Sequence, residues 1–162
     1  MKAILLCGGV GKRMFPITED KLLLKFLGKP LLHHQMEQAL AAGLTEFVIV
    51  ANPHNVDSLE QIARSVPGLK AEFAVQERPL GIASALESAE RFLKGRVMVL
   101  NPNDLFESSV YTTLIAESGK SAAASYLIGY QVKEYFPGGY LVVDGQNRLQ
   151  RIVEKPPRGD EP

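Results

Sequence analysis

Residues 3–13 read AILLCGGVGKR, and this stretch decides the fold. Ala3 to Cys7 is a continuous apolar run that ends at Gly8-Gly9. A short unbroken run of this kind predicts a strand buried on both faces, as in a parallel sheet. The glycines after it allow a tight turn that presents backbone N–H groups to an anion. Lys12 and Arg13 add positive charge, so phosphate is the expected guest. A glycine-rich turn with solvated basic residues would give the same pattern without a ligand.

Downstream the pattern alternates. Pro30 to Ala42 reads as a helix with Leu32, Met36 and Ala39/Leu40 as its apolar stripe and Gly43 as its stop. Phe47 to Ala51 is a second apolar strand. Val56, Leu59, Ile62/Ala63 and Val66 mark a second helix, and Ala71 to Val75 a third strand. Ile82, Leu86, Ala89 and Leu93 mark a third helix, and Val97 to Leu100 a fourth strand. Repeated strand–helix alternation predicts an α/β fold with a mostly parallel sheet. Ligands bind such sheets outside the carboxyl ends of the strands. Here those ends are Cys7-Gly8, Ala51-Asn52, Val75-Gln76 and Leu100-Asn101. Beyond Phe106 the texture is less regular. Ser109 to Glu117 reads as a short helix, and Ala122 to Ile128 as a strand. Tyr140 to Val143 and Arg148 to Val153 read as a hairpin turned at Asp144 to Asn147.

Two common phosphate motifs fail. The P-loop needs Ser or Thr after Gly11-Lys12, where Arg13 stands, and a first glycine where Leu6 stands. The dinucleotide fingerprint, counted from Gly9, needs Gly or Ala where Met14 stands. This is neither a P-loop ATPase nor an NAD-binding domain.

Composition narrows the class further. The chain has 162 residues, 46% of them hydrophobic and 22% charged, which suits one globular domain. Eighteen basic residues balance 18 acidic ones, which argues against a general nucleic-acid or anionic-membrane binder. The single cysteine, Cys7, excludes an intrachain disulfide and suits a reducing, cytoplasmic setting. The first apolar run is too short for a signal peptide or membrane span. His33 and His34 are neighbours on a predicted helix and point apart, so they cannot share a metal.

The motifs in order carry a resemblance. The run Gly8-Gly9-Val10-Gly11-Lys12-Arg13-Met14-Phe15-Pro16-Ile17-Thr18, then Lys21 and Gly28-Lys29-Pro30-Leu31, resembles the sugar-phosphate nucleotidyltransferase family. That family opens glycine-glycine-x-glycine-threonine-arginine-leucine. Gln76-Glu77-Arg78-Pro79-Leu80-Gly81 looks like its base-reading segment. Asn103-Asp104 stands where the family has glycine-aspartate. Gly138-Gly139-Tyr140 and Glu154-Lys155-Pro156 resemble its sugar-side motifs.

The resemblance implies a Rossmann-like three-layer α/β/α domain of the nucleotide-diphospho-sugar transferase type over residues 1–162. Residues 1–106 would be its nucleotide-binding half, and 107–162 a partial sugar-binding half. It implies nucleotidyl transfer from a nucleoside triphosphate to a sugar 1-phosphate, with Mg²⁺ and release of pyrophosphate. Gly8, Gly9 and Gly11 would wrap the triphosphate beside Cys7, and Lys12 stands where the family has threonine. Arg13 would stabilise the leaving phosphates. Lys21 would contact the α-phosphate or the incoming phosphate. Asp104 would hold Mg²⁺, although an aspartate after a strand also suits a helix cap. Gln76, with Pro79 and Gly81, would read the base. An amide that donates to a carbonyl and accepts from an imide N–H favours UTP or dTTP. Gly139, Glu154 and Lys155 would bind the sugar phosphate. Cys7 reads as a small buried residue rather than a reactive thiol.

Family domains continue beyond the Glu-Lys-Pro motif with a second metal-binding aspartate. The spacing supports neither Asp20 nor Asp160 in that place. The resemblance is thus to a domain lacking its C-terminal part, and a second reading stays open: a nucleotide-binding relative, or a fragment, without turnover. Homo-oligomerisation is also left open.

Overall fold

The computed structural model describes residues 1–9, 20–120 and 124–162. It divides into two compact units, Met1–Lys120 and Ser121–Pro162.

In the first unit, β1 (Lys2–Leu6), β4 (Glu46–Ala51), β5 (Lys70–Val75) and β6 (Val97–Leu100) form a sheet in the order β5-β4-β1-β6. All its pairings are parallel, with Leu5 opposite Ile49 on one side and Leu100 on the other. All the strand carboxyl ends therefore lie along one edge. A small hairpin, β2 (Lys25–Phe26) with β3 (Lys29–Pro30), leads into α1 (Leu31–Ala41). The other helices are α2 (Val56–Arg64), α3 (Ile82–Ser88) and α4 (Ser108–Lys120).

Strand parity sorts the core into two layers. Ala3, Leu5, Cys7, Phe47, Ile49 and Ala51 face one side, where they pack with Leu32 and Met36 of α1, Leu59 and Ile62 of α2, and Tyr111 of α4. Ile4, Val48 and Val50 face the other, against Ala85 and Ala89 at α3. The topology explains this division. The crossovers through α1 and α2 step the same way across the sheet, from β1 to β4 to β5. The crossover through α3 steps back, past β1 to β6. With one handedness throughout, the backward step must place its helix on the opposite face. The expected α/β fold with a parallel sheet is thus found, and β1 and β4 are buried on both faces.

Two expectations are corrected. Residues 124–128 form no strand, and Leu127 and Ile128 are exposed. Apolar composition alone is not enough for a strand, because the backbone N–H and C=O groups also need a neighbouring ladder. The third helix was expected to run to Leu93 with Ile82 on its buried stripe. Instead α3 stops at Ser88, a short 3-10 turn follows at Glu90–Phe92, and Ile82 is 67% exposed. The helix is seated on the small side chains of Ala85 and Ala89, and Ile82 at its first position lies beyond that contact.

In the second unit, β7 (Gly139–Val143) and β8 (Leu149–Glu154) form the expected antiparallel hairpin, with Tyr140 opposite Val153. Its turn is closed by the Asp144 carboxylate, which accepts from the backbone N–H groups of Gln146 (2.8 Å) and Arg148 (2.9 Å). These two bonds, that from Arg148 first, hold the Asp144 carboxyl below its usual range. Tyr135 stacks on Tyr140 and donates its hydroxyl to Pro156 O.

Candidate functional site

The sheet reverses its direction of growth beside β1, so the crevice between the ends of β1 and β6 is a topological switch point. Gly8 and Gly9 lie at the end of β1. Cys7 precedes them and continues the ladder, its N–H donating to Val50 O at 2.8 Å. Its side chain is 1% exposed, and burial, with the Asp20 charge second, pushes the thiol pKa up. This is the small buried residue the sequence suggested.

Gln76 lies one residue beyond β5, its N–H donating to Ala51 O at 2.8 Å. It is 5% exposed, and its Nε2 donates to Gly81 O at 3.1 Å. A Cβ at Gly8 would lie 2.4 Å from Gln76 Oε1, so only glycine fits there without displacing that side chain. Gly81, just before α3, has φ +104° and ψ −173°, a conformation essentially confined to glycine. Gly8, Gln76 and Gly81 thus form one interlocked group, with Pro79 between Gln76 and Gly81 in sequence.

Asp104 follows β6 in a turn closed by its own N–H to Asn101 O (3.1 Å) and by Asn101 Nδ2 donating to its Oδ2 (2.8 Å). Gln35 of α1 supports this turn from below. It is 1% exposed, and its Nε2 donates to Asn101 O (3.0 Å) and Asp104 O (3.3 Å). The backbone N–H of Ser108, at the start of α4, is taken by Gln38 Oε1. Asp104 itself is exposed at the carboxyl edge of the sheet.

Lys21 opens a 3-10 turn (Lys21–Leu23) capped by Asp20, whose Oδ1 accepts from Leu22 N at 2.9 Å. The other Asp20 oxygen accepts from Asn55 Nδ2 at 2.8 Å, and the same Nδ2 donates to Cys7 O at 3.0 Å. Asn52 Nδ2 donates to Gly8 O at 3.4 Å. Gly11, Lys12 and Arg13 lie outside the described residues.

In the second unit Gly139, Glu154 and Lys155, which the resemblance assigns to the sugar phosphate, come together at the hairpin. Gly139 is opposite Glu154, and a Cβ at Gly139 would lie 3.0 Å from Glu154 Oε2. Lys155 N donates to Gly138 O, and Lys155 Nζ lies 3.8 Å from Glu154 Oε1.

Sequence reasoning missed Gln35, Asn55 and Asn101. Their only signal was position, near predicted strand ends or on a helix face. Which carbonyl each amide reaches is a tertiary fact. His33 and His34 do diverge: His33 turns toward Glu37, and His34 Nε2 donates to Phe26 O at 2.8 Å. Among the described residues, no group of three or more His, Cys, Asp or Glu side chains could hold a metal by itself. Among them, too, no helix is long and apolar enough to cross a membrane.

A parallel sheet with Gly8-Gly9 at its switch point belongs to the class of α/β domains that take ligands at their strand ends. Within that class, the family model described as Nucleotidyl transferase matches residues 2–161, and the chain belongs to this family. It is 30% identical over 166 residues to a glucose-1-phosphate thymidylyltransferase of Actinoplanes sp., covering 100% of this chain and 55% of that protein. It is 33% identical over 165 residues to a mannose-1-phosphate guanyltransferase of Candida albicans, covering 96% and 45%. The chain spans about half the length of the curated relatives it matches. Among solved structures, a UDP-glucose pyrophosphorylase from Acinetobacter baumanii superposes with a TM-score of 0.77 at 23% identity, over 99% of this chain and 70% of that one. A UDP-glucose pyrophosphorylase complexed with UDP-glucose gives 0.74 at 20% identity, over 99% and 71%. These likenesses establish the Rossmann-like nucleotide-diphospho-sugar transferase fold.

Proposed function

We propose that this chain carries the nucleotide-binding machinery of an enzyme that joins a nucleoside triphosphate to a sugar 1-phosphate. A phosphate oxygen of the sugar 1-phosphate attacks the α-phosphorus, a new P–O bond forms, and the bond to the β-phosphate breaks. The products are a nucleoside diphosphate sugar and pyrophosphate. Such transfers depend on positioning and on stabilising charge on oxygen rather than on a nucleophilic side chain. The observation that carries the proposal is the Gly8–Gln76–Gly81 group, at the same carboxyl edge of the sheet as the exposed Asp104 turn.

Each residue then has a role. Gly8, Gly9 and Gly11 would let the backbone wrap the triphosphate, and Cys7 and Lys12 adjoin them in sequence. Arg13 takes up charge on the leaving β- and γ-phosphates. Lys21 contacts the α-phosphate or the incoming one. Gln76 commits one amide hydrogen to Gly81, and its second hydrogen and its carbonyl complement the imide edge of uracil or thymine. Pro79 and Gly81 let the base approach. Gly139, Glu154 and Lys155 serve the sugar phosphate. Asp104 would be one carboxylate ligand for Mg²⁺, an ion that commonly takes one or two carboxylates together with substrate phosphates. The ion would neutralise charge on the reacting phosphates. A cytoplasmic setting fits the lone, buried thiol.

The test is pyrophosphate release from Mg²⁺, a nucleoside triphosphate (UTP, dTTP or GTP) and a panel of sugar 1-phosphates, with Arg13→Ala as control. Release that requires a sugar phosphate and a pyrimidine nucleotide, and is lost in the control, is expected. A preference for GTP would overturn the assignment of Gln76. Nucleotide binding without release would make this chain a binding unit rather than an enzyme.

A further inference from the structure

Asn55 occupies the N-cap position of α2, where asparagine ordinarily accepts a hydrogen bond from the first turn of the helix. Here its side chain makes no such bond. It is 5% exposed and turned toward β1 instead. Nδ2 donates to both Cys7 O (3.0 Å) and Asp20 Oδ2 (2.8 Å), and Oδ1 accepts from Asn52 N at 2.8 Å. Serine, threonine or aspartate would serve as a cap, but none offers two N–H donors with an acceptor. Both donors are spent on groups far away in sequence.

Those two groups flank the parts of the site that face phosphate. Cys7 O is the last carbonyl before Gly8-Gly9. Asp20 precedes Lys21, and its second oxygen holds Leu22 N at 2.9 Å. One buried amide therefore joins the end of β1 to the Lys21 turn. We infer that Asn55 is a positioning residue, which sets the distance between the Gly8–Gly9 backbone and Lys21 for a phosphate-bearing ligand. The inference rests on the nucleotide-binding reading above. It assigns the distance between two binding elements to a side chain that itself touches no ligand.

The probe is pyrophosphate with Mg²⁺, because it needs neither base nor sugar. Its affinity is measured by equilibrium dialysis for the unsubstituted chain, for Asn55→Ala, and for the isosteric Asp20→Asn. The last keeps the volume but leaves one acceptor oxygen where Leu22 N and Asn55 Nδ2 use two, so the Asp20 link between them is broken at one end. Amide exchange at Leu22 and Leu23 is followed alongside, with β5 amides as reference. Losing a bond to a charged group should weaken pyrophosphate binding about tenfold in either folded variant. Leu22 and Leu23 should exchange faster while β5 does not. If Asn55→Ala fails to fold, Asp20→Asn decides the question. Folded variants that bind pyrophosphate as tightly as the parent would reduce Asn55 to a purely structural role. An unsubstituted chain that does not bind pyrophosphate would instead remove the functional reading, and the positioning role with it.

Discussion

Gln76 fills the space that a side chain at Gly8 would need: a Cβ there would stand 2.4 Å from Gln76 Oε1, 3.2 Å from Gln76 Cβ and 3.4 Å from Ala51 O. The closest of these atoms is the end of a flexible side chain, so relief is available at the cost of the bond from Gln76 Nε2 to Gly81 O. Gly8→Ala is therefore expected to destabilise the first unit by about 1 kcal/mol, the typical net value of a hydrogen bond. In a Gln76→Ala background most of that cost should vanish, because residues in contact are coupled. Urea unfolding of the two single variants and the double variant measures the coupling. Additive effects would mean that the two residues do not interlock.

Gln35 gives a second prediction. It holds the Asp104 turn through Asn101 O and Asp104 O from a fully buried position. Gln35→Ala removes this donor from both carbonyls, leaving Asn101 O with only the Asp104 N–H, and should cost about 1–3 kcal/mol. If the turn presents a metal ligand, the variant should also need more Mg²⁺ for half-maximal pyrophosphate release. A stability loss with an unchanged Mg²⁺ titration would separate the turn from metal binding.

Cys7 gives a third. Burial raises its thiol pKa, so the reactive thiolate is scarce even in mildly alkaline solution. The native chain is expected to resist an aromatic disulfide reagent at pH 8 and to react fully once unfolded in urea. Rapid labelling of the native chain would contradict the buried setting.

The hairpin turn gives a pH dependence. Asp144 has a carboxyl pKa lowered chiefly by the Arg148 backbone N–H and then by that of Gln146. A lowered folded pKa means that the carboxylate stabilises the turn above the ordinary aspartate value of about 4. That contribution is lost as pH falls through the lowered value. NMR titration should find Asp144 ionising below ordinary aspartates, with the Gln146 and Arg148 amide signals moving together with it. An Asp144 that titrates at the ordinary value would refute the capped turn.

Much of this was legible in the sequence. Short apolar runs located β1, β4, β5 and β6, most clearly β1 and β4, whose residues are buried on both faces of the sheet. Helical spacing located α1 and α2, whose stripes at Leu32–Met36 and Leu59–Ile62 are buried. The Asp144 turn was legible because hairpin chemistry is local. Ordered motifs pointed to the nucleotidyl transferase family. Local pattern failed at residues 124–128 and at Ile82, where the outcome depends on a ladder partner or a packing neighbour that periodicity does not encode.

Tertiary structure alone decided the connections between these pieces. The order β5-β4-β1-β6 makes β1 the point of reversal and brings Gly8, Gln76 and Asp104 to one edge. The sequence marks each of them only as a residue after a strand. It cannot say that the space over Gly8 belongs to Gln76, or that Asn55 gives up its helix cap to reach Cys7 and Asp20. The reason is physical. Propensity and periodicity act over one or two turns of chain, whereas a buried amide is satisfied by whichever distant carbonyl the packed core leaves within about 3 Å.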